Sequence, residues 1–166
     1  MKGLSGKEIE VVSFLELNEK NFFTRDEIRK FFKNEGILKF YIRKLKAKKR
    51  IIKINKSKYY LVPVKAYQNK WSENPLIVID EMFNGKNYFI GGYAAAHYWG
   101  LIDQIPRKIE VYCANKQGKT KLFDTEIVFK RTRPKNIVGF VEQKAKNHPF
   151  KIASKEKVMQ WMKSTP

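Results

Sequence analysis

An α+β protein in two parts is predicted by three observations on this 166-residue sequence. The first is the placement of charge. Residues Ile28 to Ala66 hold fourteen Lys/Arg against one carboxylate, Glu35, a net +13 in 39 residues, whereas Met1 to Glu27 hold four basic and six acidic residues, a net −2. The second is that this charge falls on a helix–turn–helix pattern followed by a β-hairpin pattern. The third is a change of composition after Pro63, into short strands and helices without the long βα alternation of a doubly wound sheet. Together they predict a winged helix-turn-helix over residues 1–66 and a small α+β module over residues 67–166.

In the first part, a helix is expected from Ser5 to Leu17. Val11, Val12, Phe14 and Leu15 fall on one side at the helical period, with Glu10, Ser13 and Glu16 on the other. Glu8 lands near the apolar side in the first turn, where a carboxylate suits the helix dipole. Phe22 and Phe23 are expected to lead into a second helix, opened by the capping-box spacing Thr24-Arg25-Asp26-Glu27 and packed through Ile28, Phe31 and Phe32. Asn34-Glu35-Gly36 reads as a turn, with Gly36 free to take a positive φ. A third helix follows from Ile37 to about Lys48, with Leu38, Tyr41, Ile42 and Leu45 inward. Two β-rich runs, Ile51–Ile54 and Tyr59–Val62, joined by Asn55-Lys56-Ser57-Lys58, read as a hairpin that would be the wing.

A concentrated basic surface on such a fold points to double-stranded DNA. In helix-turn-helix proteins the early residues of the second helix reach base edges. Lys39, Phe40 and Arg43 are therefore the base-edge candidates. Arg43 suits guanine and Phe40 suits a thymine methyl. Lys44, Lys46, Lys56 and Lys58 are the phosphate-contact candidates, which position without reading sequence.

In the second part, Asn74-Pro75 opens a helix expected to run to about Phe83, and Asn84-Gly85-Lys86-Asn87 is a turn. Tyr88–Ile90 is a short apolar strand, followed by Gly91-Gly92 and a small-residue helix from Tyr93 to Trp99 closed by Gly100. Strands are expected at Lys108–Cys113, Thr125–Lys130, Ile137–Val141 and Phe150–Ile152, and a last helix after Ser154. The stretch YFIGGYAAAHYWGLIDQIPRKIEVYC, behind a wing pattern ending in KSKYYLVPV, resembles the abortive-infection AbiEi family. The resemblance spans roughly Phe23 to Ile152. It implies a transcriptional repressor that also serves as the antitoxin of a nucleotidyltransferase toxin. Two roles are thus expected for the chain: a DNA-binding regulator whose α+β module binds a partner or mediates assembly, or an antitoxin-like interaction protein with DNA binding secondary.

An enzymatic role is not expected. A nucleotidyltransferase needs acids at alternate strand positions, so that both point to one face and hold a divalent ion. Aligned that way, Glu110 occupies one position and Lys108 the other, where a cation repels the metal. His97 is read as packed, His148 as a loop residue without a Cys or His partner, and Cys113 as buried. No catalytic residue, metal or cofactor is assigned. Arg131-Thr132-Arg133-Pro134-Lys135 is a second basic cluster. The single cysteine, the apolar-poor start MKGLSGKEIE and a longest aliphatic run of only Leu76–Ile79 lead to the expectation of a cytoplasmic protein without a membrane anchor.

Overall fold

The computed structural model describes residues 3–63, 73–123 and 125–164. The chain divides into two compact units, Met1–Trp71 and Ser72–Pro166. Each contains its own sheet, and among the described residues the elements are six helices and two sheets. The boundary expected between residues 66 and 67, and Trp71, lie outside the described residues.

The first unit runs α1 (Gly6–Leu17), β1 (Phe22–Thr24), α2 (Arg25–Arg29), α3 (Glu35–Ala47), β2 (Ile51–Lys53) and β3 (Lys58–Leu61). Its three strands form an antiparallel sheet in the order β1-β3-β2, with Phe23 opposite Tyr59 and Ile51 opposite Leu61. Val11, Val12 and Leu15 of α1 meet Ile28, Leu38, Ile42, Leu45, Tyr59 and Leu61 in one core. Phe14, Phe31 and Phe32 pack against it from the rim.

Three expectations in this unit need correction. Phe22–Thr24 is not a lead-in to a helix but a strand. Phe22 and Phe23 have the aromatic character that suits a half-buried pleated surface, and β3 supplies the partner that makes the strand. The second helix stops at Arg29, so Phe31 and Phe32 reach the core from the segment beyond it. Gly36 is helical rather than a turn residue. The Asn34 side chain accepts a hydrogen bond from the Ile37 amide at 2.9 Å and starts α3 at Glu35. The left-handed residue is instead Lys49 (φ 56), just past α3. Its amide bonds to the Lys46 carbonyl and that of Arg50 to the Leu45 carbonyl, both 2.9 Å, which is a Schellman termination without glycine.

The second unit runs α4 (Pro75–Phe83), β4 (Tyr88–Gly91), α5 (Gly92–Tyr98), β5 (Lys108–Cys113), β6 (Gly118–Leu122), β7 (Thr125–Arg131), a 3-10 turn (Pro134–Asn136), β8 (Phe140–Ala145), β9 (His148–Ala153) and α6 (Lys155–Ser164). Its six strands form a mixed sheet in the order β6-β7-β5-β4-β9-β8. The β5–β7 and β4–β9 pairs are parallel, the others antiparallel. Tyr88, Ile90, Ile109, Val111, Ile127, Phe129, Phe150 and Ile152 are all buried. Strands β4, β5 and β8 carry a row of near-parallel rings: Phe89 lies 5.0 Å from Tyr112 and 6.3 Å from Phe140. Strand β6 has no expected counterpart, because Gly118-Lys119-Thr120-Lys121-Leu122 is polar and belongs to a sheet edge. The strand expected at Ile137–Val141 lies at Phe140–Ala145. A 3-10 turn occupies Pro134–Asn136, and Gly139 takes φ +65 just before the strand.

No described helix is long and apolar enough to cross a membrane.

Candidate nucleic-acid interface

Helix α3 is anchored by Leu38, Ile42 and Leu45, which are buried in the core of the first unit. With those residues inward, the helical period turns Lys39, Phe40, Arg43 and Lys46 outward, and all four are exposed. Phe40 keeps 43% of its surface exposed, although it is a large apolar residue. Its ring meets Tyr41 edge-on at 5.4 Å, and Tyr41 in turn stacks on Phe32 at 5.2 Å. Cations surround it. The Lys44 ammonium lies 5.0 Å from the Phe40 centroid and 5.9 Å from that of Tyr41, and the Arg43 guanidinium lies 5.9 Å from Phe40. Lys44 is half-buried along its stem with its charge held near these rings.

The hairpin tip is shaped by one side chain. Asn55 Oδ1 accepts from the amides of Ser57 and Lys58, both at 2.9 Å, an Asx turn that leaves Lys56 exposed at the apex. Lys58 opens β3 opposite Thr24 and is half-buried.

The fold itself uses a different subset of the basic residues. Lys48 pairs with the fully buried Glu8 at 2.5 Å, and Arg29 reaches Asp26 at 2.9 Å and Glu35 at 3.4 Å. Arg25 donates to the Tyr59 hydroxyl at 3.2 Å, Lys20 pairs with Glu27 at 2.5 Å, and Lys30 sits 3.8 Å above the Phe14 ring. Glu27 also accepts from the Thr24 amide at 2.7 Å, the reach-back of the expected capping box. Among the described residues, no carboxylate lies within ion-pair distance of Lys39, Arg43, Lys44, Lys46 or Lys56. The basic residues of the first unit thus divide into a set that ties elements together and a set whose charge stays available on α3 and the hairpin tip.

In the second unit, β5 points Lys108 and Glu110 to the same face, and the two differ in environment. Lys108 is exposed. Glu110 is 7% exposed, and its Oε1 pairs with Lys130 at 3.0 Å. Burial of the Lys130 ammonium works against its charge, but the Glu110 carboxylate and the Tyr112 hydroxyl outweigh it and raise the Lys130 pKa. The other carboxylate oxygen of Glu110 lies against Gly92, at φ +59, where any Cβ would overlap it. Gly91 meets the Tyr112 ring in the same way, with a built Cβ 2.7 Å from Cε2. The Gly91-Gly92 pair therefore serves close approach between β4, α5 and β5. Cys113 is buried, and burial pushes its thiol up.

Two histidine expectations change. His97 is half-buried in the wall of a groove rather than packed inside. His148 is not a loop residue: it begins β9, and its Nε2 lies 3.0 Å from Asp80 and 3.7 Å from Glu81 of α4. Asp80 also accepts from the Tyr88 hydroxyl at 2.7 Å, and burial raises the Tyr88 pKa. Sequence spacing carries no signal for this cluster, since 68 residues separate Asp80 from His148. Among the described residues, no group of three or more His, Cys, Asp or Glu side chains comes together in a metal-holding arrangement. The Arg131–Lys135 cluster lies at the end of β7 and in the turn after it, with Arg131, Arg133 and Lys135 exposed.

No family model matches the sequence, and no curated protein matches it at a significant level. Among solved structures, the chain is similar to the RV2827C protein from Mycobacterium tuberculosis, with a TM-score of 0.53 and 14% identity. The alignment covers 82% of this chain and 49% of that one, so the chain spans about half the length of that relative. The likeness is one of fold.

Proposed function

We propose that this protein is a DNA-binding transcriptional regulator, a repressor of the AbiEi antitoxin type acting in the cytoplasm. In this reading the first unit is a winged helix-turn-helix, α3 the recognition helix and β2–β3 the wing. The order of helices and strands and the antiparallel β1-β3-β2 sheet support it. The observation that carries the reading is the outer face of α3. Arg43 and Lys44 lie beside a half-exposed Phe40, and Lys39 and Lys46 are exposed on the same helix, without a described carboxylate to neutralise any of the four. Cations left unpaired on a rigid helix suit phosphates and guanine edges, and an exposed ring beside them suits a thymine methyl. Lys56 at the hairpin tip adds a phosphate contact outside the helix.

The second unit serves as the partner-binding or assembly module and is not an enzyme. A divalent ion bridging a triphosphate to protein needs several anionic oxygens. Here the one carboxylate at the relevant strand positions is engaged by Lys130 and flanked by Lys108.

The test is a fluorescence-anisotropy titration of the protein against duplexes from its own upstream region and against random duplexes, across a series of salt concentrations. Neutralising ~5 phosphates gives a slope of log K against log salt of about −4 to −5. A flat salt dependence, or no binding at low salt, overturns the reading.

A further inference from the structure

We infer that the open face of the six-stranded sheet in the second unit binds single-stranded nucleic acid. The inference gives a chemistry to the partner of that unit and is independent of DNA binding by the first. The two faces of the sheet differ. On one, Phe83 of α4 stacks on Tyr88 at 5.1 Å and Tyr98 of α5 meets Phe150 at 5.6 Å, so helices lie against its buried residues. The alternate positions point the other way, and on β6, β7 and β8 these are exposed or half-buried.

Two features set this open face apart from a plain solvated one. The first is the ring row at its centre. Phe89 is buried between Tyr112 and Phe140, which are themselves half-buried. Among the described residues, no other ring lies against Tyr112 or Phe140, so each keeps one face that no ring covers. Lysines stand beside all three. Lys130 lies 5.4 Å from the Tyr112 centroid, Lys151 5.7 Å from that of Phe140 and Lys157 3.9 Å from that of Phe89.

The second feature is unbalanced charge. Across the sheet Lys130, Tyr112, Phe89 and Lys151 form one row in register, and Lys121, Glu126 and Lys108 form another. Glu110 takes up Lys130, and Glu126 lies 3.7 Å from Lys119. Lys108, Lys121, Lys144, Lys151 and Lys157 have no described carboxylate within ion-pair distance. Lys151 stands opposite Glu142 but donates to the Gly85 carbonyl at 2.5 Å. Lys157 donates to the Val138 carbonyl, and burial without a counter-charge lowers its pKa. Cations left unpaired on one face attract a polyanion, and every phosphate they neutralise releases counterions.

Shape decides between duplex and single strand. Six strands spaced ~4.8 Å apart span about 24 Å, twice the ~12 Å width of a duplex major groove, so this face cannot enter one. A flexible single strand can lie along it, with phosphates on the lysines and unstacked bases on Tyr112 and Phe140. An acidic peptide would use the lysines and leave the rings without planar partners.

The experiment is fluorescence anisotropy on the full chain with a labelled single strand of about 12 nucleotides, as RNA and as DNA, and with the matching DNA duplex. Lys108→Glu with Lys121→Glu, both exposed, should weaken single-strand binding about tenfold or more and flatten its salt slope by about 1.4. Duplex binding should fall far less in that variant. Lys44→Glu with Lys46→Glu should do the reverse, weakening the duplex more than the single strand. Phe140→Leu keeps the charge and removes a ring, so it should weaken the single strand about fivefold or more with the slope unchanged. Circular-dichroism melts check that each variant is folded. Binding of either form supports the surface, and the tighter one names the source. No binding of either single strand, affinity that survives the Lys108, Lys121 reversal, a larger single-strand loss in the Lys44, Lys46 variant, or displacement by poly-glutamate at equal charge would each overturn the inference.

Discussion

The Lys48 ammonium, at the C-terminal cap of α3, donates to Glu8 of α1 at 2.5 Å and to the Gly3 carbonyl at 2.8 Å. Forty residues separate the pair, and the contact joins the first helix to the third. Glu8 is fully buried and also accepts from the Ser5 amide at 2.6 Å, so one carboxylate caps its own helix and ties down another. A lysine that would otherwise read as part of the basic surface is therefore a structural residue.

Burial by itself would raise the Glu8 pKa, but the hydrogen bonds from Lys48 and Ser5 and the Lys48 charge outweigh it and leave it lowered. A carboxylate with a depressed folded-state pKa contributes stability above its unfolded value, ~4.3, and that stability is lost as pH falls through the folded value. Glu8→Gln should therefore cost about 1–3 kcal/mol at neutral pH. The difference from the parent should shrink as acid protonates Glu8. Urea unfolding across a pH series checks this, and a difference that stays constant into acid would contradict it.

Reversing charge on the free face of α3 should act on all DNA sequences alike. Lys44→Glu with Lys46→Glu removes two candidate phosphate contacts, so operator and random duplexes should weaken by similar factors and the salt slope should flatten by ~2. Lys48→Met is the contrasting variant: it should lower stability while leaving the salt slope as it was. Unchanged affinity in the double variant would sink the assigned face.

Arg43→Ala should instead reduce discrimination between operator and random DNA, by roughly 1–3 kcal/mol. Phe40→Ala should act in the same direction with little effect on the salt slope, since it removes no charge. Competition titrations measure both. A loss in non-specific affinity alone would assign Arg43 to phosphate.

Gly92 and Gly100 make a controlled pair in the second unit. Both hold positive φ, 59° and 65°, but a Cβ at Gly100 meets open space whereas one at Gly92 overlaps the Glu110 carboxylate. Gly100→Ala should cost about 1–2 kcal/mol, the strain of a left-handed alanine. Gly92→Ala should cost about 1–3 kcal/mol more through overpacking. Equal losses in chemical denaturation would show that Glu110 moves aside freely.

Nucleotide transfer to protein or RNA should be undetectable with any NTP and Mg²⁺ or Mn²⁺. Lys108 stands beside Glu110 on that face, and Lys130 already engages the Glu110 carboxylate, which leaves too few anionic oxygens for a divalent ion. Transfer that disappears in Glu110→Ala would establish an enzyme.

Periodicity alone was enough for the long local elements. Helices α1 and α3 came within two residues of their observed ends, Pro75–Phe83 matched α4, and Lys108–Cys113 matched β5. The inward set Leu38, Tyr41, Ile42 and Leu45 followed from the same arithmetic, and with it the outward set Lys39, Phe40, Arg43, Lys44 and Ala47; of these, Tyr41 and Lys44 are half-buried and the rest lie as expected. These features are local, because a helix face depends only on spacing within the segment.

The elements without a local sequence signal depend on partners distant in the chain. Phe22–Thr24 becomes a strand because Lys58–Tyr60 lies beside it, and the polar β6 becomes one because β7 does. The same holds for charge. Composition counted Lys48 with the basic surface, and only the approach of Glu8 took it out. It likewise left His148 without a partner until α4 brought Asp80 to 3.0 Å. Sequence decides which residues can be charged, apolar or left-handed. Which charges are consumed by the fold and which remain for a ligand is decided by contacts between elements, and those exist only once the sheets have closed.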